Sequence, residues 1–69
     1  MFFIKLPVTY KKESTTYNEE RAINLDKVLE VKPAGNNGDM SILQFDKGYV
    51  MIDMPYNALT QLLINLELL

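Results

Sequence analysis

The sequence predicts a mainly β, α+β fold: a small, curled antiparallel β-meander of about five strands with one C-terminal α-helix. Three observations lead to this prediction. Residues 2–10 alternate between apolar and polar side chains, residues 40–54 form two apolar extended segments around a turn, and residues 55–67 carry leucines at helical spacing. The length of 69 residues is that of one small domain, so we expect a single domain over residues 1–69.

The first strand is predicted over residues 2–10, because period-two alternation is typical of a strand with one core face. Its apolar side consists of Phe2, Ile4, Leu6, Val8 and Tyr10. Pro7 has no N–H group, so we expect this strand to lie at a sheet edge or to donate no hydrogen bond at that point. Residues 11–21 show no apolar period, and we expect a polar loop or a protruding hairpin arm there.

Residues 22–33 predict two short extended pieces around a corner at residues 24–27. Asn24 and Asp26 lie in that corner, where their side chains can bond nearby backbone groups. Pro33 ends the second piece. The Gly- and Asn-rich residues 34–39 then predict a turn that leads into the next strand.

Residues 40–46 and 49–54 predict a hairpin around Asp46-Lys47-Gly48, the composition of a three-residue loop with glycine in the left-handed position. That loop pairs Phe45 with Tyr49, Leu43 with Met51, and Ser41 with Asp53. The opposite face then carries Ile42, Gln44, Val50, Ile52 and Met54. Both faces are substantially apolar, whereas a hairpin at the surface is normally apolar on one face only.

Residues 55–67 predict the helix, since Pro55 suits a first turn and Asp53 or Met54 lies near the cap position. Five leucines share a stripe at i, i+3, i+4 and i+7 spacing, which indicates a core-facing side. They are Leu59, Leu62, Leu63, Leu66 and Leu69. Ile64 and Leu68 point roughly the opposite way.

Composition argues against an enzyme. The chain has no histidine and no cysteine, so we expect no cofactor, no metal site and no catalytic residue. Asp39, Asp46 and Asp53 recur every seven residues, but the first two lie in turns and the third lies near the helix cap. The net charge is −2, and no apolar run approaches a membrane span, so we expect a cytoplasmic protein with no membrane partner.

The surplus of apolar residues favours protein–protein contact. A chain of this size buries only roughly 60% of its unfolded surface, and without disulfides or metals oligomerisation is the remaining way to gain stability. We therefore expect a small structural or regulatory adaptor that forms a homo-oligomer, most simply a dimer, and has a protein partner that the sequence does not identify. The candidate interface consists of Met51, Tyr49, Leu43, Phe45, Ile64 and Leu68.

An alternative function is nucleic-acid binding by the polar arm. Basic groups interleaved with aromatic rings can contact phosphates and stack on bases. The candidate residues are Tyr10, Lys11, Lys12, Tyr17 and Arg21. Glu13, Glu19 and Glu20 lie among them and offset their charge, so a nucleic-acid partner is the less favoured expectation.

Two segments carry a resemblance to known families. The segment Ile-Asn-Leu-Asp-Lys-Val-Leu-Glu-Val at residues 23–31 is followed, after a turn, by Ile-Leu-Gln-Phe-Asp-Lys-Gly-Tyr-Val-Met-Ile at 42–52 and by a short amphipathic helix. Over about residues 22–64 this order resembles the small FlbD-type proteins of flagellar gene clusters and related short bacterial and phage proteins. The corner, hairpin and helix are also similar to part of LytTR-type DNA-binding domains. Neither resemblance implies catalytic residues.

Overall fold

A computed structural model describes residues 2–68 and confirms the predicted fold class. Within those residues, five antiparallel strands form one open sheet, and a C-terminal helix packs against it. The strands are β1 (Phe3–Lys12), β2 (Thr15–Asn24), β3 (Glu30–Ala34), β4 (Met40–Phe45) and β5 (Gly48–Ile52), and the helix is α1 (Tyr56–Asn65). Two short 3₁₀ turns, Leu25–Lys27 and Asn36–Gly38, precede β3 and β4.

The strand order, β2-β1-β5-β4-β3, places two consecutive strands at opposite edges of the sheet. In a flat sheet those edges would lie about 19 Å apart, and the linker of residues 25–29 includes a 3₁₀ turn, which shortens its reach. The linker N–H of Leu25 donates to the Phe2 carbonyl and that of Leu29 donates to the Gln44 carbonyl, both at 2.8 Å. Each bond extends the strand pairing at its own edge of the sheet, β1 with β2 and β3 with β4. The short linker between them therefore brings the two edges together and curls the sheet.

The corner at residues 24–27 forms the local hydrogen bonds that the sequence predicts. The Asn24 side-chain oxygen accepts from the Asp26 N–H at 3.0 Å. The Asp26 carboxylate accepts from the Phe2 N–H, also at 3.0 Å. One Asx-type turn therefore ties the end of β2 to the start of β1.

The first hairpin extends beyond the strand predicted over residues 2–10. We expected a strand to residue 10 followed by a polar loop or a protruding hairpin arm, and the structure agrees with the second alternative: β1 and β2 are both ten residues long and pair throughout. Glu13 and Ser14 form the turn with φ of 52° and 68°, the positive values of a type I′ hairpin. All side chains from Tyr10 to Ala22 are exposed, which explains why this stretch has no apolar period.

Pro7 lies inside the sheet rather than at its edge. β1 pairs with β2 on one side and with β5 on the other, so the expectation of an edge strand is wrong. Pro7 has no N–H to donate, and its carbonyl accepts the Asp53 N–H at 2.8 Å. The second expectation for this position, that β1 donates no hydrogen bond there, therefore agrees with the structure.

The register of the second hairpin differs from the prediction by one residue. The loop has two residues, Asp46 and Lys47, and Phe45 pairs with Gly48. A one-residue slip moves every side chain to the other face, so the predicted pairs of Phe45 with Tyr49, Leu43 with Met51 and Ser41 with Asp53 are wrong. The observed pairs are Gln44 with Tyr49, Leu43 with Val50, Ile42 with Met51 and Ser41 with Ile52.

The core lies between the concave face of the sheet and α1. Its buried apolar side chains are Leu6, Val8, Ile23, Leu43, Ile52, Leu59 and Leu63. Two leucines of the predicted helical stripe, Leu59 and Leu63, are in this group, whereas Leu69 lies outside the described residues. Ser41 is also buried, and its hydroxyl donates to the Met54 carbonyl at 2.9 Å, which anchors the segment before the helix to β4.

The helix begins and ends within the predicted span. Pro55 occupies the N-cap position and no side chain of residues 2–68 caps that end, so neither Asp53 nor Met54 provides the expected cap. At the other end, the Glu67 N–H donates to the Ile64 carbonyl at 2.9 Å and the Leu68 N–H donates to Leu63 at 2.8 Å. This is a Schellman motif, with Glu67 in the left-handed position at φ 61°.

Both edges of the sheet carry features that disfavour pairing with another strand. β2 is long, but Glu19, Glu20 and Arg21 occupy its middle, and Glu19 and Arg21 project on the face that holds the core. β3 is only five residues long and contains Pro33. Charged side chains, short length and proline are the usual protection of an edge strand.

The turn before β4 gives a test of the backbone conformation. Gly35 has φ 73° and ψ −158°, a region populated almost only by glycine, and an added Cβ would collide with the Asp39 carboxylate. We expect Gly35→Ala to lower the free energy of unfolding by about 2–3 kcal/mol in urea denaturation. The matched change Gly38→Ala, at φ 73° but with no contact closer than 3.6 Å, should cost only about 1 kcal/mol. Equal losses would contradict this explanation.

Candidate interaction surface

The face of the sheet opposite α1, called here the outer face, has an apolar centre. Thr9, Met51 and Ile42 lie side by side across β1, β5 and β4. Met51 and Ile42 are half-buried by their neighbours, and Tyr49, next to Met51 on the same face, is 63% exposed. No element within residues 2–68 packs over this centre, because α1 contacts the concave face.

The structure brings together only part of the predicted interface. Tyr49 and Met51 lie on the outer face, as neighbours. Leu43 is fully buried in the core, so its assignment to a contact surface is wrong, and Phe45 packs against the core from the same face. The cause is the register slip of the second hairpin. Ile42, predicted on the other face, takes their place beside Met51.

The two predicted helix residues remain accessible. Ile64 is 50% exposed and Leu68 is 39% exposed. Leu68 borders a shallow groove of about 320 Å³ between the helix and the linker before β3, with Leu29, Val28 and Tyr56 among the other residues that line it. These apolar groups form a second surface, on the opposite side of the sheet from Tyr49 and Met51.

A cavity of about 610 Å³ opens where β1 and β5 diverge. The two strands pair only at Val8 with Ile52 and at Thr9 with Met51, although β1 continues to Lys12 and β5 begins at Gly48. We call the opening between residues 10–12 of β1 and residues 48–50 of β5 the β1–β5 cleft. Its lining combines apolar and basic groups: Val8, Thr9, Tyr10, Lys11, Thr16, Arg21, Met40, Tyr49, Val50 and Met51.

The arm formed by β1 and β2 carries a compact aromatic and charged cluster. The rings of Tyr10 and Tyr17 stack with centroids 5.3 Å apart, and the Arg21 guanidinium carbon lies 5.1 Å from the Tyr10 ring centroid. Arg21 Nη2 also donates to Glu19 Oε1 at 3.1 Å. This register follows from the two-residue turn, which places Tyr10 directly opposite Tyr17.

Hydrogen bonding in this cluster shifts three pKa values. The Arg21 guanidinium, followed by the Tyr10 hydroxyl, lowers the pKa of the Glu19 carboxyl by hydrogen bonding to its charged form. The Glu19 carboxylate in turn raises the pKa of Tyr10, chiefly as a hydrogen-bond acceptor, and it raises the pKa of Arg21 in the same way. The cluster therefore favours a charged Glu19 and a neutral Tyr10.

The residues of the nucleic-acid alternative are brought together only in part. Tyr10, Lys12, Tyr17 and Arg21 share one face of the arm, whereas Lys11 projects from the other face. The two rings contact each other and the charge of Arg21 is paired with Glu19. The two tyrosine rings and Arg21 thus already have partners within the chain, and base stacking or phosphate contact by them would compete with those partners.

Two further observations concern the described part of the chain. Residues 2–68 contain no group of three or more acidic side chains arranged to hold a metal ion. No helix in this range has both the length and the apolar character needed to cross a membrane.

Comparison with known proteins gave no match to a family model, a curated protein or a solved structure. The resemblances to FlbD-type proteins and to LytTR-type domains therefore remain predictions.

The placement of the second hairpin can be tested with two alanine substitutions. Leu43→Ala should lower the free energy of unfolding by about 2–5 kcal/mol, because it removes a fully buried side chain and leaves a cavity. Tyr49→Ala, on the exposed outer face, should cost less than about 1 kcal/mol. Denaturant unfolding measures both. A larger loss for Tyr49 than for Leu43 would favour the three-residue loop over the observed register.

The arm cluster predicts a defined pH dependence. Because the pKa of Glu19 is lowered in the folded state, its bonds to Arg21 and Tyr10 stabilise the folded state fully at pH values above the ordinary glutamate pKa. This stabilisation is lost as the pH falls through the lowered pKa. Titration of the Glu19 side-chain carboxyl by NMR should show this shift. In Arg21→Gln the pKa should rise toward its ordinary value, and in Tyr10→Phe it should rise less. Identical titrations of the wild type and Arg21→Gln would contradict the arrangement.

Proposed function

We propose that this chain is a small, non-enzymatic protein–protein interaction module that self-associates through its outer face as a two-fold dimer. One observation carries the proposal: an apolar centre formed by Ile42 and Met51, with Tyr49 beside it, lies on a sheet face that no other described element covers. Aromatic residues and methionine are enriched in the buried centres of protein interfaces.

The total surface supports the same conclusion. The accessible surface of the chain is 4958 Å², whereas a compact monomer of 8.0 kDa should expose about 4450 Å². The difference of about 500 Å² is a substantial part of the roughly 800 Å² that each partner buries in a standard interface. The molecule is also elongated, with extents of 36 × 26 × 20 Å, because the arm projects beyond the core.

The charges around the apolar centre fit a self-complementary contact. The outer face carries basic groups at Lys11 and Lys32 and acidic groups at Glu20 and Glu30. In a two-fold interface the same patch meets itself, so a surface with both signs at its rim can place opposite charges together. A face with one sign of charge would repel its copy.

The nucleic-acid alternative has weaker support. The aromatic rings and Arg21 of the arm are engaged with one another and with Glu19, and the whole chain has a net charge of −2. A protein that binds nucleic acid through phosphate contacts needs a basic patch that is free to release counterions. We therefore favour self-association.

Sedimentation over a wide range of protein concentration tests the proposal. The wild type should reach the mass of a dimer, and Met51→Lys and Tyr49→Lys should each weaken association by at least about tenfold, because a charge would be buried at the interface centre. Asn57→Lys, which adds the same charge at an exposed position of α1, is the matched control and should leave the dimer intact.

Two outcomes would contradict the proposal. A wild-type chain that stays monomeric at millimolar concentration would exclude stable self-association. A dimer that survives both outer-face variants but dissociates in Ile64→Lys would assign the interface to the helix instead.

A further inference from the structure

The two hairpins of the sheet leave strand edges unpaired inside the β1–β5 cleft. The ladder between β1 and β5 ends at Thr9 with Met51. Beyond that pair, β1 follows β2 out into the arm and β5 follows β4 to its turn. Residues 10–12 and 48–50 therefore have a paired strand on one side and the cleft on the other.

Hydrogen-bond alternation identifies which backbone groups face the cleft. In an antiparallel sheet, successive residues direct their N–H and C=O groups to opposite sides. The two-residue turns make Lys12 with Thr15 and Phe45 with Gly48 the closing pairs of their hairpins. Even-numbered residues of β1 thus bond to β2, and even-numbered residues of β5 bond to β4.

The odd-numbered residues consequently point toward the cleft. The hydrogen bond from the Asp53 N–H to the Pro7 carbonyl is an example, because it joins an odd-numbered residue after β5 to an odd-numbered residue of β1. Thr9 and Met51 form the next pair, and Lys11 and Tyr49 would form the one after it. That last pair is not made, so the backbone groups of Lys11 and Tyr49 face each other across the opening without pairing.

The side chains around the cleft match a particular kind of occupant. Thr9, Met51 and Tyr49 line it on the outer face, and Val8 and Val50 line it on the core face. Among residues 2–68, Lys11 has no ion-pair partner, whereas the charge of Arg21 is already satisfied by Glu19. The volume of about 610 Å³ lies within the range of about 300–1,000 Å³ that is usual for binding clefts.

We propose that the β1–β5 cleft binds an extended, acidic segment of a partner protein by strand addition. The backbone of the segment bonds to Lys11 and Tyr49, which supplies the ladder that the sheet lacks there. Its side chains alternate, so apolar groups meet Val8 and Val50 while a carboxylate on the outer side meets Lys11. This binding site goes beyond self-association and does not require it.

Residue-specific amide hydrogen exchange tests the proposal with two probes. The first is the acetylated and amidated peptide Val-Glu-Val-Glu-Val, and the second replaces both of its glutamates with lysine. In the free protein the amides of Lys11 and Tyr49 should exchange at least about tenfold faster than those of Tyr10 and Val50. The acidic peptide should slow exchange at Lys11 and Tyr49 at least about tenfold, and the basic peptide should have little effect.

Three variants separate backbone pairing from charge. Lys11→Pro removes an N–H that faces the cleft but leaves the hydrogen bonds to β2 intact. Pro7 already occupies an equivalent position of the same strand. We expect this variant to lose peptide binding. Lys11→Gln keeps the N–H and should reduce the preference for the acidic peptide. Lys5→Gln, on the same strand and face but outside the cleft lining, should bind like the wild type.

Several results would overturn the proposal. These are protection of the Lys11 and Tyr49 amides in the free monomer, no added protection with millimolar acidic peptide, or equal binding of both peptides. Protection that rises with protein concentration in the absence of peptide would assign the cleft to a second copy of the chain. The wild-type exchange data decide the matter even if Lys11→Pro does not fold, and sedimentation of the same samples reports self-association separately.

Discussion

The short crossing from β2 to β3 is the constraint on which the rest of this fold depends. It connects the two edge strands of a five-stranded sheet through residues 25–29, and so short a linker can join them only if the sheet curls. The curl makes a concave face narrow enough for one ten-residue helix to cover. A chain of 69 residues can therefore complete a core with seven buried apolar side chains, but residues 2–68 contain no second helix for the convex side.

The elements with a regular apolar period could be predicted from the sequence, and those without one could not. The leucine stripe identified the helix, and the alternation from Phe2 to Tyr10 identified the start of β1. The strands of the arm were harder to predict, because both faces of the arm are in solvent and burial leaves no apolar period. Their register is instead marked by the cross-strand pair of Tyr10 and Tyr17. The second hairpin was misread because Gly48 suits a three-residue loop as well as the first position of β5.

That single ambiguity accounts for the errors in the candidate interface. The slip moved Leu43 and Phe45 to the core face and left Tyr49 and Met51 outside, now joined by Ile42. The β1–β5 cleft was beyond the reach of sequence patterns, because it depends on how far two distant strands remain paired. It lies next to the apolar centre of the outer face and shares Tyr49 and Met51 with it. Face and cleft thus form one continuous surface, and both of the proposed contacts with another chain lie on it.

The protected edges of the sheet have a consequence for solution behaviour at high concentration. Fibril growth adds one strand after another to an open sheet edge, and each new strand must pair with an edge that is flat and uncharged. Here the incoming strand would meet Glu19, Glu20 and Arg21 along β2, or the missing N–H of Pro33 on β3. The chain can consequently expose apolar side chains on a sheet face while remaining a poor seed for amyloid.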